Sequence, residues 1–255
     1  MKREIEALIT YITEGGRLFY NGDGESARAF GEKLKPEFFY SGEAPDFFIK
    51  DNDDVIIFEH FEFDCYKASR KGSEYRREEA RIQCSEDAMK PTESGTTLHE
   101  VIHGDSSYQY YIENVTRSFH KHYSNIDTYI QNLIRAGAIN DHTNVKVAFF
   151  IEDVSPLGTM VYKRDGQDDG LIHVSLADSK EFLDLLKENE RVDYVLACAS
   201  PENEREVWFI DREQLNAYYE NVIDYASMEF LRFQPHVITY KVQVPNEKLR
   251  KSDKQ

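Results

Sequence analysis

The segment 193-DYVLACAS-200 is almost wholly apolar. A strand of this kind fits only where both of its faces are covered, in the interior of a sheet with helices on either side. Two further β-rich stretches, 145-VKVAFFIED-153 and 206-EVWFID-211, lie close to it in the sequence. A segment of different period precedes them. From about 107 to 136, Ile112, Val115, Phe119, Tyr123, Ile126, Ile130 and Leu133 step by three and four. That spacing predicts one long helix with an apolar stripe, ended by Gly137. Further helices are expected near 179–189, capped by Ser179, and near 212–225, capped by Asp211. A hairpin is expected around Asp165-Gly166. Strands that alternate with helices in this order predict an α/β fold with a mixed central β-sheet flanked by helices.

The rest of the chain fits one domain over 1–245, with 246–255 as a disordered tail. Ile5, Leu8, Ile9 and Ile12 mark an amphipathic first helix ended by Gly15-Gly16, and its internal acids are unlike a signal peptide. Asp23 can cap a second helix that places Ala27, Phe30 and Leu34 on one face. Residues 73–88 read as helical, 90–97 as a loop and 236–244 as a last strand. No apolar run approaches the length of about 20 residues that spans a bilayer, so no membrane contact is expected. Cys65, Cys84 and Cys198 are scattered and odd in number, which predicts reduced thiols and a cytoplasmic protein.

The formal net charge is −16. Such a chain repels nucleic acid over most of its surface, so a nucleic-acid partner would need a local basic patch. One stretch qualifies: 67-KASRKGSEYRREEAR-81, with Lys67, Arg70, Lys71, Arg76, Arg77 and Arg81. Its plain reading is a solvated helix face whose charges pair at i,i+4.

The stretch 44-APDFFIKDNDDVIIFEHFEFDCYK-67 contains two strand-forming runs around an acidic turn, and the second run carries Glu59, Glu62 and Asp64. With DNDD as the turn, Asp46 falls opposite Glu59. Residues so paired have Cβ atoms about 5 Å apart. Two carboxylates there repel unless a cation, a proton or a basic side chain lies between them. A hard divalent cation such as Mg²⁺ is commonly held by one or two carboxylates, and it could activate water and clamp a phosphate. The plain alternative is an acidic hairpin with a solvated face.

A Pro-Asp pair opening one strand and an acid on the next resembles the PD-(D/E)XK nuclease superfamily, on Pro45, Asp46 and Glu59. The resemblance implies a restriction-endonuclease-like core and phosphodiester hydrolysis with Mg²⁺ or Mn²⁺. It implies metal-ligand roles for Asp46 and Glu59, with Glu25 or Glu32 as the acid of the first helix and Glu25 favoured. Phe61 stands where the family has its lysine. His60 or Lys67 would then substitute for it, and Arg70, Lys71, Arg76 and Arg77 would meet phosphates.

A rival motif stands at 97-TLHEVIHGD-105, where His99, Glu100 and His103 make an HExxH pattern. On a helix the two histidines would share a face and could bind Zn²⁺, with Glu100 as general base. Gly95 and Gly104 leave barely two turns for that helix, and Gln109 stands where one class of zinc enzyme has its third ligand, which leaves His120, His122 and Asp127 of the long helix as third-ligand candidates, with His122 close to its apolar stripe. Three functional expectations follow: a metal-dependent phosphodiester hydrolase, a zinc metallopeptidase, and a non-catalytic binding protein on a nuclease-like scaffold. Phe61 and the charge of −16 favour the last over an ordinary DNA-cutting enzyme. The oligomeric state is not legible.

Overall fold

Along Val147-Ala148-Phe149-Phe150-Ile151 every side chain is buried, yet successive residues point to opposite faces. The computed structural model shows what each face meets. It describes residues 18–34, 39–41, 44–51, 54–69, 72–73, 95–102, 106–155, 159–162, 170–199, 206–233 and 236–243. The strands are β1 (Leu18–Phe19), β2 (Phe39–Ser41), β3 (Phe47–Asp51), β4 (Asp54–Phe63), β5 (Ala68–Ser69), β6 (Gly72–Ser73), β7 (Gly95–Ile102), β8 (Asn144–Asp153), β9 (Thr159–Tyr162), β10 (Gly170–His173), β11 (Tyr194–Ala199), β12 (Glu206–Asp211), β13 (Phe230–Phe233) and β14 (His236–Gln243). The helices are α1 (Gly24–Lys33), α2 (Tyr108–Tyr123), α3 (Ile126–Arg135), α4 (Lys180–Glu188) and α5 (Leu215–Tyr219).

Seven strands form a mixed central sheet in the order β1-β12-β11-β8-β4-β3-β2. β4, β8 and β11 run parallel at its centre. β12 returns antiparallel to β11, and β3 returns antiparallel to β4. The α/β expectation therefore holds, with the most apolar runs in the middle where both faces are covered. β9, β10 and β13 form a second, small sheet, and β7 pairs with β14 in a third.

Each face of the central sheet has its own core. Val147, Phe149 and Ile151 join Ile57, Phe61, Phe63, Val195 and Ile210 beneath Val115 and Phe119 of α2 and Phe182 of α4. Ala148 and Phe150 join Ile56, Phe58, Leu196 and Phe209 beneath Ala27, Phe30 and Leu34 around α1. The predicted apolar face of the Asp23-capped helix is thus its buried face, and Asp23 accepts the Glu25 N–H at 2.9 Å. Burial of each such Phe, Ile or Leu is worth roughly 1.5–3 kcal/mol, which makes these two layers the main source of stability.

Two expected helices differ from the structure. The long helix of 107–136 is two helices that meet at Ser124-Asn125. The Ser124 hydroxyl donates to the Lys121 carbonyl at 2.9 Å. That local bond satisfies the end of α2 where the ladder stops. Gly137, at φ 67°, follows the end of α3 as predicted. The helix expected over 212–225 is a 3-10 turn at Arg212–Gln214, the short α5, and another 3-10 turn at Tyr225–Ser227. Asp211 caps it as read, accepting the Glu213 N–H at 2.9 Å. The first predicted helix, most of 73–88 and the tail lie outside the described residues. Among the described residues no helix is long and apolar enough to cross a membrane.

Candidate functional site

The hairpin has the register read from its turn: Asp51 pairs with Asp54 and Phe47 with Phe58. Asp46, one step beyond Phe47, therefore faces Glu59. The two carboxylates meet backbone and imidazole groups rather than each other. The Asp46 N–H donates to Glu59 Oε1 at 3.2 Å, and the His60 N–H donates to Asp46 Oδ2 at 2.9 Å. Glu59 is 5% exposed. Its other oxygen, Oε2, lies 3.1 Å from Nδ1 of His122, on the last turn of α2. Phe61, at the position where a lysine was sought, stacks on the His122 ring with centroids 4.9 Å apart and planes at 15°. The Tyr129 hydroxyl of α3 sits 3.4 Å from the same Nδ1. Burial, and then the Glu59 carboxylate, hold the Tyr129 phenol above its ordinary range. The Asn132 side-chain amide donates to the Ala44 carbonyl at 3.2 Å, tying α3 to the start of the hairpin.

A second group lies on the opposite face of the same strand. His60 is 6% exposed, and its ring lies 4.8 Å from that of Phe150. Its Nε2 is 3.2 Å from Glu152 Oε2. Glu152 on β8 is the register partner of Glu62 on β4. One ligand atom from each of His60, Glu62 and Glu152 can be chosen so that all three lie within 4.8 Å of one another. The group stands near the carboxyl ends of two parallel strands, where open α/β sheets commonly bind ligands.

The ends of β4 and β8 close with matching turns. Asp64 Oδ1 accepts the Tyr66 N–H at 2.9 Å, and Asp153 Oδ1 accepts the Ser155 N–H at 2.8 Å. The buried amide of Asn114 donates to the Asp64 and Tyr66 carbonyls at 2.8 and 2.7 Å, pinning this end to α2. Burial pushes the Asp153 carboxyl up to about 6. Burial, and then Asp153, push the Cys65 thiol well above its ordinary range, so it is no thiolate nucleophile.

The other predicted residues are placed differently. Glu25 lies in the first turn of α1, which packs on the face away from Glu59. It is therefore not a partner of Glu59, because strand alternation puts the sheet between them. Lys67 is exposed, with Nζ 6.0 Å from the Tyr110 ring centroid, near the start of α2. Tyr110 and His122 are 12 residues apart on one helix, about 18 Å along its axis, so Lys67 does not replace the missing lysine beside Glu59. His99 and Glu100 lie on strand β7, and His103 lies outside the described residues. His99 and Glu100 are therefore not on the helix that the HExxH reading assumed for them. The β-branched Thr96, Thr97, Val101 and Ile102 favour the strand, which β14 completes from Gln243 to His236. Arg70, Lys71, Arg76 and Arg77 lie outside the described residues.

The sequence offered His122 only as a third ligand for the zinc motif, not beside Glu59, and did not single out Tyr129 or Glu152. A signal for Glu152 exists: it is a carboxylate near the end of an otherwise apolar strand, as Glu62 is on β4. A cavity of about 650 Å³, lined in part by Lys50, Val55, Ile139, His142 and Thr143, opens near the other end of these strands. Val55 and Glu62 are seven positions apart on β4, roughly 23 Å, so that cavity is remote from the carboxylates. No family model, curated protein or solved structure matches the chain.

Proposed function

We propose that the chain hydrolyses phosphodiesters, with Glu59 and His122 as its proton-handling pair beside Asp46. One observation carries this reading. Glu59 Oε2 engages His122 Nδ1 at 3.1 Å, while Nε2 of that partly exposed ring has no hydrogen-bond partner among the described residues. A carboxylate on one imidazole nitrogen holds the ring's orientation and leaves the other nitrogen to accept a proton. In the reaction, Nε2 takes the proton of an attacking water as its oxygen bonds to phosphorus. The bond from phosphorus to the leaving oxygen then breaks, and that oxygen departs as an alkoxide that picks up a proton. Phe61 sets the plane of the imidazole, and Tyr129 adds a hydroxyl beside Glu59. A nuclease-like core, a nucleic-acid substrate met through Arg70, Lys71, Arg76 and Arg77, and a cytoplasmic setting belong to the same reading. The resemblance of Pro45, Asp46 and Glu59 to the nuclease pattern supports it, and the described thiols Cys65 and Cys198 are buried and outside any disulfide.

The expected metal set of Asp46, Glu59 and Glu25 does not fit an ion. Both oxygens of Glu59 already face nitrogen groups, an Asp46 oxygen accepts the His60 N–H, and Glu25 stands across the sheet. No step is drawn through a metal at those residues.

The test is hydrolysis of plasmid DNA, a single-stranded RNA and bis-(p-nitrophenyl) phosphate, each with Mn²⁺. The wild type should cleave at least one. Glu59→Gln and His122→Gln should each lose about 10²–10⁴-fold in rate, the usual contribution of a positioned acid–base group, with unchanged circular dichroism. An inert wild type would overturn the hydrolase. The binding-scaffold reading would then stand, favoured by the aromatic residue at 61 and the net charge of −16.

A further inference from the structure

We propose that His60, Glu62 and Glu152 bind a first-row divalent cation, Zn²⁺ or Mn²⁺, through one imidazole nitrogen and two carboxylates. The geometry already approximates a coordination shell. Two ligands at right angles on one ion, each about 2.1 Å from it, are roughly 3.0 Å apart, and tetrahedral ligands roughly 3.4 Å. His60 Nε2 and Glu152 Oε2 are 3.2 Å apart, between those values. The ligand atoms of all three residues fall within 4.8 Å of one another, so a small rotation of a glutamate side chain closes the set.

Three features prepare these side chains. The backbone ladder fixes Glu62 opposite Glu152, because β4 and β8 pair in register from Asp54 and Asn144 to Phe63 and Asp153. His60 is buried, its ring is flanked by Phe150, and its backbone N–H is held by Asp46 Oδ2, so packing and the ladder position the imidazole before any ion arrives. Glu62 and Glu152 stand side by side on neighbouring strands, and a cation would use both carboxylates together with His60. A mixed nitrogen and oxygen donor set argues against Mg²⁺, which prefers oxygen ligands, and for ions that accept imidazole and carboxylate together. Three protein ligands leave coordination positions for water or substrate.

This site lies on the α1 face of β4, whereas Glu59 and His122 lie on the α2 face. It is therefore separate from the proton-handling pair, and its test reads binding alone, whatever the chain hydrolyses. Full-length, tag-free protein is stripped with chelator, then titrated with ZnCl₂ and MnCl₂ by calorimetry, with elemental analysis of the dialysed complex. One ion per chain is expected. Glu62→Gln and Glu152→Gln should each weaken it at least 10-fold, and His60→Gln likewise, while Glu59→Gln, Glu25→Gln and His99→Ala should not. The glutamine variants keep side-chain size, and circular dichroism and a thermal melt confirm that each is folded. No ion on the wild type would overturn the proposal. So would binding that survives both Glu62→Gln and Glu152→Gln, or binding lost through Glu59→Gln or His99→Ala. Loss of hydrolysis with binding intact would bear on the proton-handling pair and leave this site standing.

Discussion

Asp178 shows how burial sets the chemistry of a single carboxyl. Desolvation raises it to about 6, against the Tyr225 hydroxyl that donates to Oδ1 at 2.8 Å. Its folded-state pKa is above the unfolded value, so the folded chain binds the proton more tightly. The resulting stability is fully present below about pH 4 and is lost as the pH rises through about 6. A shift of this size corresponds to up to about 3 kcal/mol. Asp178→Asn keeps an acceptor for Tyr225 and removes the titration. Urea midpoints between pH 4 and 7 should therefore fall less steeply in the variant than in the wild type. Identical slopes would show that Asp178 is not protonated in this range. At the same scale the candidate site was half legible. Asp46 and Glu59 were placed opposite each other from the turn alone, because a two-residue hairpin fixes every pair along its ladder. His122 was read as belonging beside an apolar stripe, since nothing in its neighbours in sequence reveals a carboxylate 63 positions away.

At the scale of elements, the caps were the most legible feature. Ser179 accepts the Phe182 N–H at 3.2 Å, at the start of α4, and is fully buried. It also meets the Tyr108 hydroxyl at 2.9 Å, which joins α4 to α2. Ser179→Ala removes a helix cap and one partner of the Tyr108 hydroxyl, which keeps its bond to Glu181 Oε2 at 2.6 Å. The loss should be about 1–2 kcal/mol, read as a lower urea midpoint with an unchanged m-value. A stability within 0.3 kcal/mol of wild type, a margin set by the ~1 kcal/mol typical of such caps, would mean that the cap carries no net weight. The break between α2 and α3 was not legible. Its apolar residues keep their helical spacing across Ser124-Asn125, and both Phe119 and Ile126 remain fully buried on either side. Periodicity records which residues are buried, not whether the helical ladder is continuous between them. Residues on both sides of the break, His122 and Tyr129, lie beside Glu59.

For the whole molecule, Phe149 is the most telling probe. It is fully buried in β8 and meets Phe61 and Phe119 edge-on, at 5.7 and 5.1 Å. Phe149→Ala should cost about 3–5 kcal/mol through lost burial and a residual cavity. That corresponds to a fall of roughly 10 °C in melting temperature for a chain of this length. Leu171→Ser, at a residue 60% exposed, should change stability by under about 0.5 kcal/mol. A small loss at Phe149 would mean that the layer under α2 repacks freely. The sequence by itself determined the α/β class, the central strands, the hairpin register and the buried face of α1. All of these follow from local periodicity and turn chemistry, which act between near neighbours in the chain. Only the tertiary structure decided which carboxylates meet which imidazoles. Glu62 and Glu152 are brought into register by a parallel pairing across 90 positions, which an antiparallel turn cannot specify. Strand alternation then divides Glu59 from His60, so two neighbours in sequence serve two groups on opposite faces of one sheet.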